Sequence, residues 1–414
     1  MSRDLDIVLW GATGFVGQLT AEYFARRYAD SGIRWGLAGR SHDKLTRLRD
    51  DLTARFGLSE LPVVVADARD RASLDAMAAQ SRVVCTTVGP YALYGSELVA
   101  ACVAQKTHYC DLTGEVAWVR EMIEAHHDAA AESGTRIVHC CGFDSIPSDL
   151  GAYMLQRYAR AEFGSPCGAI RLYVEKAKGG VSGGTAASMA TALEQARRDP
   201  KARRALWHPY ALNPVGEQAG PDGSPQFGPR YDDAVKRWTG PFFMAPVNEK
   251  VVRRTNALLG YPYGQSFSYH EVSQMGRGIG GVLRAGSMSA AMAGFESVMR
   301  FGPGRRAIKR WVLPKPGEGP SRETIEQGYF VDRLLGWGRS ESGEPFTLEG
   351  HVTADSDPGY GATSIMLAES ALCLAREEVD SPLSGGVLTP AAALGMTLVE
   401  RLRQAGMGFD VRRV

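Results

Sequence analysis

The residues best suited to chemistry in this chain are three glycines that follow an apolar strand. Gly11 comes directly after the predicted strand 6–10, and Gly14 and Gly17 follow at three-residue spacing. Glycines at this spacing let the backbone turn tightly and approach a pyrophosphate. The N-terminus of the next helix then stabilises the negative charge of the pyrophosphate. The spacing is looser than the usual dinucleotide fingerprint, so an ordinary glycine-rich turn is the alternative. We predict that the dinucleotide phosphates are bound by Gly11, Thr13, Gly14, Phe15, Val16 and Gly17.

The next strand ends in residues that indicate which dinucleotide binds. The strand 34–39 runs into Arg40 and Ser41, and Lys44 follows. NAD-preferring folds place a carboxylate here for the ribose hydroxyls, whereas a guanidinium, a hydroxyl and an ammonium suit a 2′-phosphate. The sequence therefore favours NADPH, with Arg40, Ser41 and Lys44 as ligands. The alternative is that the two cations are solvated residues at the start of a helix.

Two further strand ends could contact the same cofactor. Asp67 follows the predicted strand 62–66, where its carboxylate could reach the adenine, cap the next helix, or do both. Gly89 and Pro90 follow the strand 82–88, and we expect them beside the nicotinamide ribose. Ligands bind at the carboxyl ends of the strands in such sheets, which is why these positions are predicted cofactor contacts.

Three side chains near these strand ends could act on a substrate. Tyr91 and Tyr94 follow Pro90, and we expect them to project towards the reacting ring. Packing at a domain seam is the alternative for both tyrosines. Asp144 follows the strand 136–141, where it could act near the substrate, although Asp144 or Ser145 could instead cap the next helix.

The elements that must position these residues alternate between strand and helix over the first 150 residues. This rhythm predicts an α/β fold with a Rossmann-type, doubly wound parallel sheet. The predicted strands are 6–10, 34–39, 62–66, 82–88, 107–111 and 136–141, and the predicted helices are 15–29, 42–56, 71–79, 95–105 and 116–133.

After residue 150 the pattern changes, and we predict a second α+β domain that contains an antiparallel sheet. Residues 208–245 lack periodicity and are interpreted as a lid or binding loop. The glycine-rich residues 179–185 could line a substrate channel or form a flexible turn. Predicted strands are 169–174, 327–335 and 344–354, the last two separated by a Gly-Trp-Gly turn, and predicted helices are 186–198, 357–375 and 390–404.

These elements suggest three parts of the chain. Residues 1–150 are the predicted NAD(P)-binding domain, and residues 151–356 the predicted substrate and oligomerisation domain. Residues 357–414 are predicted to return as helices that pack on the first domain. The length of 414 residues agrees with more than one domain.

Composition narrows the class of protein. The chain is 44% hydrophobic and 22% charged with a net charge of +1, which is typical of a globular protein and gives no indication of nucleic-acid binding. Neither a signal peptide nor a membrane-spanning segment is evident. The seven cysteines are scattered and lack metal-site spacing, so we expect a reducing compartment, a cytoplasmic location and no metal.

One later segment is unusually apolar. Residues 283–299 are small and apolar, which suits an acyl chain, and residues 304–311 add four cations and a tryptophan. Together they leave open a peripheral contact with the inner membrane face or with an acidic partner. A solvated helix end is the alternative.

Several motifs together resemble the saccharopine dehydrogenase-like oxidoreductases. They span nearly the whole chain, and the stretch at 316–321 is also similar to bacterial trans-acting enoyl reductases. The motifs are GATGFVG at 11–17, AGRS at 38–41, VGPY at 88–91, GE at 114–115, GFDSIPSDLG at 142–151, PGEGPS at 316–321, DPGYGAT at 357–363 and GGVLTPA at 385–391.

The resemblance implies an NADPH-dependent reductase of an enoyl thioester carried on a polyketide synthase, in complex-lipid biosynthesis. Hydride would add to the β-carbon, and the α-carbon would need a proton. Tyr91 or Tyr94 could stabilise the enolate or supply that proton, Asp144 could orient or relay, and water is another proton source. The chain has no Tyr-x-x-x-Lys pair, which argues against a standard short-chain dehydrogenase reaction.

Two other functions stay open, as does a homodimer. One is a non-catalytic, NADP-binding scaffold associated with lipid. The other is a saccharopine-type reductase of an amino-acid-derived imine, which would need convergent cations in the second domain. Arg253-Arg254 and Arg305-Arg306 are the pairs available for that role.

Overall fold

Seven parallel strands form the first sheet of the computed structural model, which describes residues 3–58, 60–179, 194–300, 319–376 and 379–414. The strand order is β3-β2-β1-β4-β5-β6-β13, so the predicted Rossmann-type sheet is confirmed. The seventh strand was not predicted, and it joins the sheet by pairing with β6, which lies far earlier in the chain. The strands are β1 (Leu5–Trp10), β2 (Trp35–Gly39), β3 (Val63–Val65), β4 (Ser81–Thr86), β5 (His108–Cys110), β6 (Arg136–Val138) and β13 (Gly386–Leu388).

The helices of this part begin and end at local signals in the sequence. The hydroxyl of Ser41 accepts a hydrogen bond from the backbone of Lys44 at the start of α2, and Gly57 ends that helix with a φ of +69°. Asp70 caps α3 in the same way. The helices are α1 (Phe15–Tyr28), α2 (His42–Phe56), α3 (Arg71–Ala79), α4 (Tyr91–Tyr94), α5 (Ser96–Ala104) and α6 (Val116–Glu132).

The second sheet has seven strands, and only β7 and β10 pair in parallel. Residues 208–245, which were interpreted as a lid or binding loop, contain the hairpin of β8 and β9, and their role stays a prediction. The predicted Gly-Trp-Gly turn is wrong. Gly336–Gly338 lie inside β11, and the turn follows at 340–344. In their order across the sheet, the strands are β14 (Gly408–Arg413), β12 (Pro345–Ala354), β11 (Tyr329–Arg339), β7 (Cys167–Lys178), β10 (Ser268–Gly276), β9 (Arg237–Gly240) and β8 (Arg230–Asp232).

Buried helices join the two sheets. Helix α7 (Ile146–Phe163) is buried along most of its length, and one continuous apolar core includes Val83 of the first sheet and Leu334 of the second. The predicted boundary at residue 150 falls inside this helix. The helix Thr363–Arg376 packs against α1, β1 and β4. The remaining helices are α8 (Pro200–Trp207), α9 (Ala245–Leu258), α10 (Gly278–Arg300), α11 (Arg322–Glu326), α12 (Thr363–Arg376) and α13 (Pro390–Gln404).

Some predicted features lie partly or wholly outside the described residues. Of the glycine-rich stretch 179–185 only Gly179 is described, and of the predicted helix 186–198 only residues 194–198, which are helical. The basic residues 304–311 and the pair Arg305-Arg306 also lie outside. In the part of the chain that the structure describes, every helix is too short or too polar to cross a bilayer.

Candidate active site at the edge of the first sheet

The glycine turn after β1 is packed so closely that side chains cannot replace two of its glycines. Gly11 has a φ of +87°, and a Cβ atom there would lie 2.6 Å from Cγ2 of Val88. A Cβ atom on Gly17 would lie 2.1 Å from the carbonyl oxygen of Gly11. The turn therefore brings the first turn of α1 against the strand ends, as close approach to a pyrophosphate requires.

The start of α1 has free backbone donors. Gly14 occupies the N-cap and has no side chain to bind them. The first backbone bond of the helix is from Gln18 N–H to Gly14 O at 2.8 Å, and within the described chain no backbone acceptor faces the N–H groups of Phe15, Val16 and Gly17. These donors and the glycine packing fit the phosphates of a dinucleotide.

The cations at the end of β2 are exposed and free. Within the described residues neither Arg40 nor Lys44 has a hydrogen bond or ion pair through its side chain, so both can meet a 2′-phosphate. The hydroxyl of Ser41 already caps α2 at 3.4 Å from the Lys44 nitrogen. The geometry thus accounts for Ser41 as a cap and leaves the two cations available.

Asp67 at the end of β3 stabilises its own turn. Its Oδ1 accepts a hydrogen bond from the backbone of Arg69 at 2.9 Å. The helix cap that the sequence also suggested for Asp67 belongs to Asp70 instead. The half-buried Asp67 side chain still lies at the strand end, where the adenine contact stays a prediction.

The end of β4 is held by a carboxylate that was not among the predicted site residues. The two oxygens of buried Glu115 accept hydrogen bonds from the backbone of Tyr91 and of Ala92, each at 2.9 Å. Glu115 thereby fixes the loop of Gly89 and Pro90 at the sheet edge. The only signal for it in the sequence was the GE motif of the family resemblance.

Tyr91 does not face a cleft, which corrects its expected position. Its side chain is 4% exposed, its hydroxyl donates to the carbonyl of Thr86 at 3.3 Å, and its ring stacks on Trp118 at 5.5 Å. Burial also raises the pKa of Tyr91 far above its ordinary value. We therefore interpret Tyr91 as a residue that positions the loop.

Tyr94 and Asp144 remain the accessible candidates. Both are half-buried, and neither side chain has a hydrogen-bond partner among the described residues. Burial raises the pKa of the Asp144 carboxyl to about 6. A carboxylic acid with that pKa can donate or accept a proton near neutral pH.

Asp144 lies where the two sheets meet. A Cβ atom on Gly114 would be 3.9 Å from its Oδ2, 3.5 Å from Cε of Met244 and 4.0 Å from Cγ2 of Val247. Met244 packs with Phe242 and Ala245 in a small apolar cluster. The carboxyl group is therefore beside an apolar wall that comes from the second part of the chain.

A chain of buried hydrogen bonds supports this junction. Ser145 occupies the N-cap of α7, but its hydroxyl donates to Oδ1 of Asn248 at 3.1 Å and does not cap the helix. Asn248 donates to Glu271 at 3.0 Å, and Tyr269 donates to the other oxygen of Glu271 at 2.8 Å. Burial raises the pKa of Glu271 to about 7.

The two arginines considered for a dicarboxylate substrate are already occupied. Arg253 forms ion pairs with Asp222 at 2.8 Å and Glu249 at 3.0 Å. Arg254 donates to the carbonyls of Leu212 and Val387. Neither guanidinium is free for a ligand. The apolar residues 283–299 belong to the helix Gly278–Arg300, which packs on β9 and β10 of the second sheet, and their suitability for an acyl chain stays a prediction.

Comparison with known proteins identifies the cofactor domain. Residues 7–138 match the family model of the saccharopine dehydrogenase NADP binding domain. The cofactor is therefore NADP(H), and the free donors, glycine packing and cations of the first sheet fit it.

Relatives match over the whole chain. A trans-acting enoyl reductase of Mycobacterium ulcerans is 38% identical, and one of Mycobacterium tuberculosis strain H37Rv is 39% identical, each aligned over 100% of this chain and 99% of the relative. Another M. tuberculosis relative is 43% identical over 427 residues, which are 100% of this chain and 98% of that protein.

Among solved structures, the apo saccharopine dehydrogenase (L-Glu forming) of Saccharomyces cerevisiae covers 99% of both chains with a TM-score of 0.56. The sequence identity is 12%, so this likeness shows the shared fold alone.

Proposed function

Because this chain belongs to the trans-acting enoyl reductases of the saccharopine dehydrogenase-like oxidoreductases, we propose that it reduces the C=C bond of an enoyl thioester with NADPH. The observation that carries the proposal is the position of Asp144. Its pKa of about 6 and its place beside an apolar wall suit proton transfer to an apolar substrate.

Residues of the first sheet hold the cofactor. The N–H groups of Phe15, Val16 and Gly17 bind its pyrophosphate, and Arg40 and Lys44 bind the 2′-phosphate. Gly89 and Pro90, fixed by Glu115, approach the nicotinamide ribose. When bound there, NADPH supplies the hydride that the β-carbon of the substrate receives.

Asp144 supplies the proton. The α-carbon of the substrate needs one proton to complete the reduction, and the protonated carboxyl of Asp144 gives it. Tyr94 is the accessible hydroxyl on the same sheet edge and stabilises the enolate oxygen of the thioester. Tyr91 acts only through the loop that it packs against.

The substrate is an acyl chain on a thioester carrier. The cluster of Phe242, Met244 and Ala245 offers it an apolar wall, whereas Arg253 and Arg254, the described pair that could hold a dicarboxylate, are occupied. The relatives are named trans-acting enoyl reductases, which supports a substrate held by a separate protein, and the family resemblance implies that this protein is a polyketide synthase.

The test measures NADPH oxidation with enoyl thioesters of coenzyme A, with Asp144→Asn beside the parent protein. We expect kcat to fall about 100-fold while NADPH binding is unchanged, since the amide cannot donate the proton as an acid. Asp233→Asn, at an exposed aspartate of the second sheet, is the matched control. NADPH binding without any oxidation would instead favour the scaffold function, and oxidation only with an imine would favour the saccharopine-type reaction.

The pH dependence gives a second readout. The acid form of Asp144 is the donor, so kcat of the parent protein should fall as pH rises through about 6, by about tenfold per pH unit. The Asp144→Asn variant should lose this slope. A slope that persists in the variant would show that another group is the acid.

A further inference from the structure

Helix α10 (Gly278–Arg300) presents an apolar face to solvent. Ile279 is 78% exposed and Leu283 is 66% exposed, and Met288 and Val298 are also exposed further along the helix. Solvent-facing sides of helices are ordinarily polar or charged. Among the exposed side chains described on this helix, Arg284 is the one charged group.

The apolar face continues onto the neighbouring hairpin. A Cβ atom on Gly281 would lie 3.0 Å from the ring of Trp238, whose centroid is 5.6 Å from that of Tyr231. Further along the helix, a Cβ atom on Gly286 would lie 4.0 Å from Cγ of Pro229. The helix and the hairpin of β8 and β9 therefore form one surface.

We call this surface the apolar corner, which consists of the exposed face of α10 together with Trp207, Phe227 and Tyr231. The rings of Trp207 and Phe227 lie 6.4 Å apart, and all three aromatic side chains are exposed. Of the thirteen large apolar side chains that are exposed in the described part of the chain, seven belong to this corner. Such concentration marks an interaction site, whereas single exposed apolar residues are ordinary.

The sequence that begins at this helix is basic. Residues 277–311 contain seven cations and one acid, a net charge of +6, whereas the whole chain carries +1. The remaining residues therefore carry −5. Arg277 and Arg284 are the exposed cations of this stretch that the structure describes.

We propose that the apolar corner docks on the surface of an anionic lipid bilayer. Apolar side chains spread along a helix, aromatic rings at its border and cations beside them are what an interfacial helix presents to headgroups. Each cation near the surface strengthens binding to anionic lipid. The proposal does not depend on the reductase activity, because none of the corner's residues is assigned to the cofactor or to the reaction.

A second copy of this chain fits the corner less well. A two-fold contact would bring Arg277 and Arg284 of one copy towards the same arginines of the other, which is unfavourable. A bilayer meets no such repulsion and accepts an extended apolar stripe. An acidic protein could share the charge preference, and it becomes an outcome of the test.

The test is co-sedimentation of the full chain with vesicles of phosphatidylcholine, with and without about one third phosphatidylglycerol. We expect binding to the anionic vesicles that weakens as salt is raised. Leu283→Glu should lower it at least about tenfold, because a carboxylate replaces an inserted apolar side chain and repels the lipid. Leu93→Glu is the matched control, since Leu93 is 63% exposed on the first sheet's edge, and it should bind as the parent protein does.

Thermal melting of both variants checks that each is folded, which separates lost binding from lost structure. Absence of binding to anionic vesicles by the parent protein would overturn the proposal, as would equal losses in the two variants. Concentration-dependent association without vesicle binding, abolished by Leu283→Glu, would assign the corner to a second copy. A negative result for vesicle binding would not affect NADPH oxidation. The two proposals can therefore fail independently.

Discussion

The two sheets use their cations in opposite ways. At the edge of the first sheet, Arg40 and Lys44 extend into solvent without a partner among the described residues. Inside the second part, Arg253 is almost fully buried between Asp222 and Glu249, and His270 bonds to the same two carboxylates. A free cation is available to bind an anionic ligand, whereas a buried one must be neutralised by the protein itself.

The comparison shows why proximity of charged residues in a sequence does not identify a binding site. Arg253 and Arg254 are adjacent and belong to the predicted substrate domain, yet both hold the fold together. Burial alone would raise the pKa of Asp222, but its bonds with His270 and Arg253 hold the pKa well below its usual range. The second sheet is thus stabilised by its own charges, and its contribution to the site is apolar.

The largest effect should come from removing the buried cation. Arg253→Met leaves Asp222 and Glu249 buried without their partner, so we expect the free energy of unfolding to drop by about 3–5 kcal/mol. Arg71→Met is the control, because Arg71 also contacts two carboxylates but its side chain is 39% exposed. It should cost less than about 1 kcal/mol. Equal losses in urea unfolding would mean that burial does not separate the two regions.

A ligand-binding effect should appear at the other region without loss of stability. Arg40→Asp replaces the cation at the 2′-phosphate with a like charge, and we expect NADPH affinity to fall about 100-fold and NADH affinity by less than about threefold. Calorimetric titration with both cofactors measures this difference. Arg47→Asp makes the same charge change further along α2. A similar loss of NADPH affinity in that variant would show that the overall charge of the region, and not Arg40 itself, determines binding.

The smallest expected effect is a pH dependence of stability in the second region. Hydrogen bonds with Asp222 and Glu249 raise the pKa of His270 to about 9. Since this is above the ordinary value of 6.5, the stabilisation is complete below pH 6.5 and is lost as pH rises through about 9. We expect about 1–2 kcal/mol, allowing for solvent screening of the partly exposed ring.

The His270→Gln variant tests that assignment. Its free energy of unfolding should vary less between pH 6.5 and 9 than that of the parent protein. A slope that the substitution leaves unchanged would assign the proton to another group and weaken the contrast between the two sheets.

Much of the first sheet could be predicted because its signals are local. The glycine turn, the helix caps and the apolar strands each involve neighbouring residues, and helices such as His42–Phe56 and Arg71–Ala79 match their predicted bounds. The family resemblance added the cofactor class. The predicted positions of Gly11 and Gly17 agree with a turn that leaves no room for a Cβ atom.

The site itself needed contacts between distant residues. The hairpin at 230–240 and β13 were not predicted, and each joins its sheet by pairing with a strand that is distant in the chain, β10 and β6 respectively. Tyr91 and Tyr94 are three residues apart in one motif, but only Tyr91 stacks on Trp118 and is buried. Nothing in the local pattern distinguished them, because the difference lies in a helix that follows more than twenty residues later.

The sequence by itself determined the Rossmann-type sheet, the phosphate turn and the preference for NADPH, since each depends on residue types at short spacing. Only the tertiary structure decided which charged groups are free. Arg40 and Asp144 remain available to a ligand, whereas Arg253 and Arg254 are bound to buried groups of the protein itself. Burial and pairing are set by the packing of segments that are far apart in the chain, and a local pattern carries no information about them.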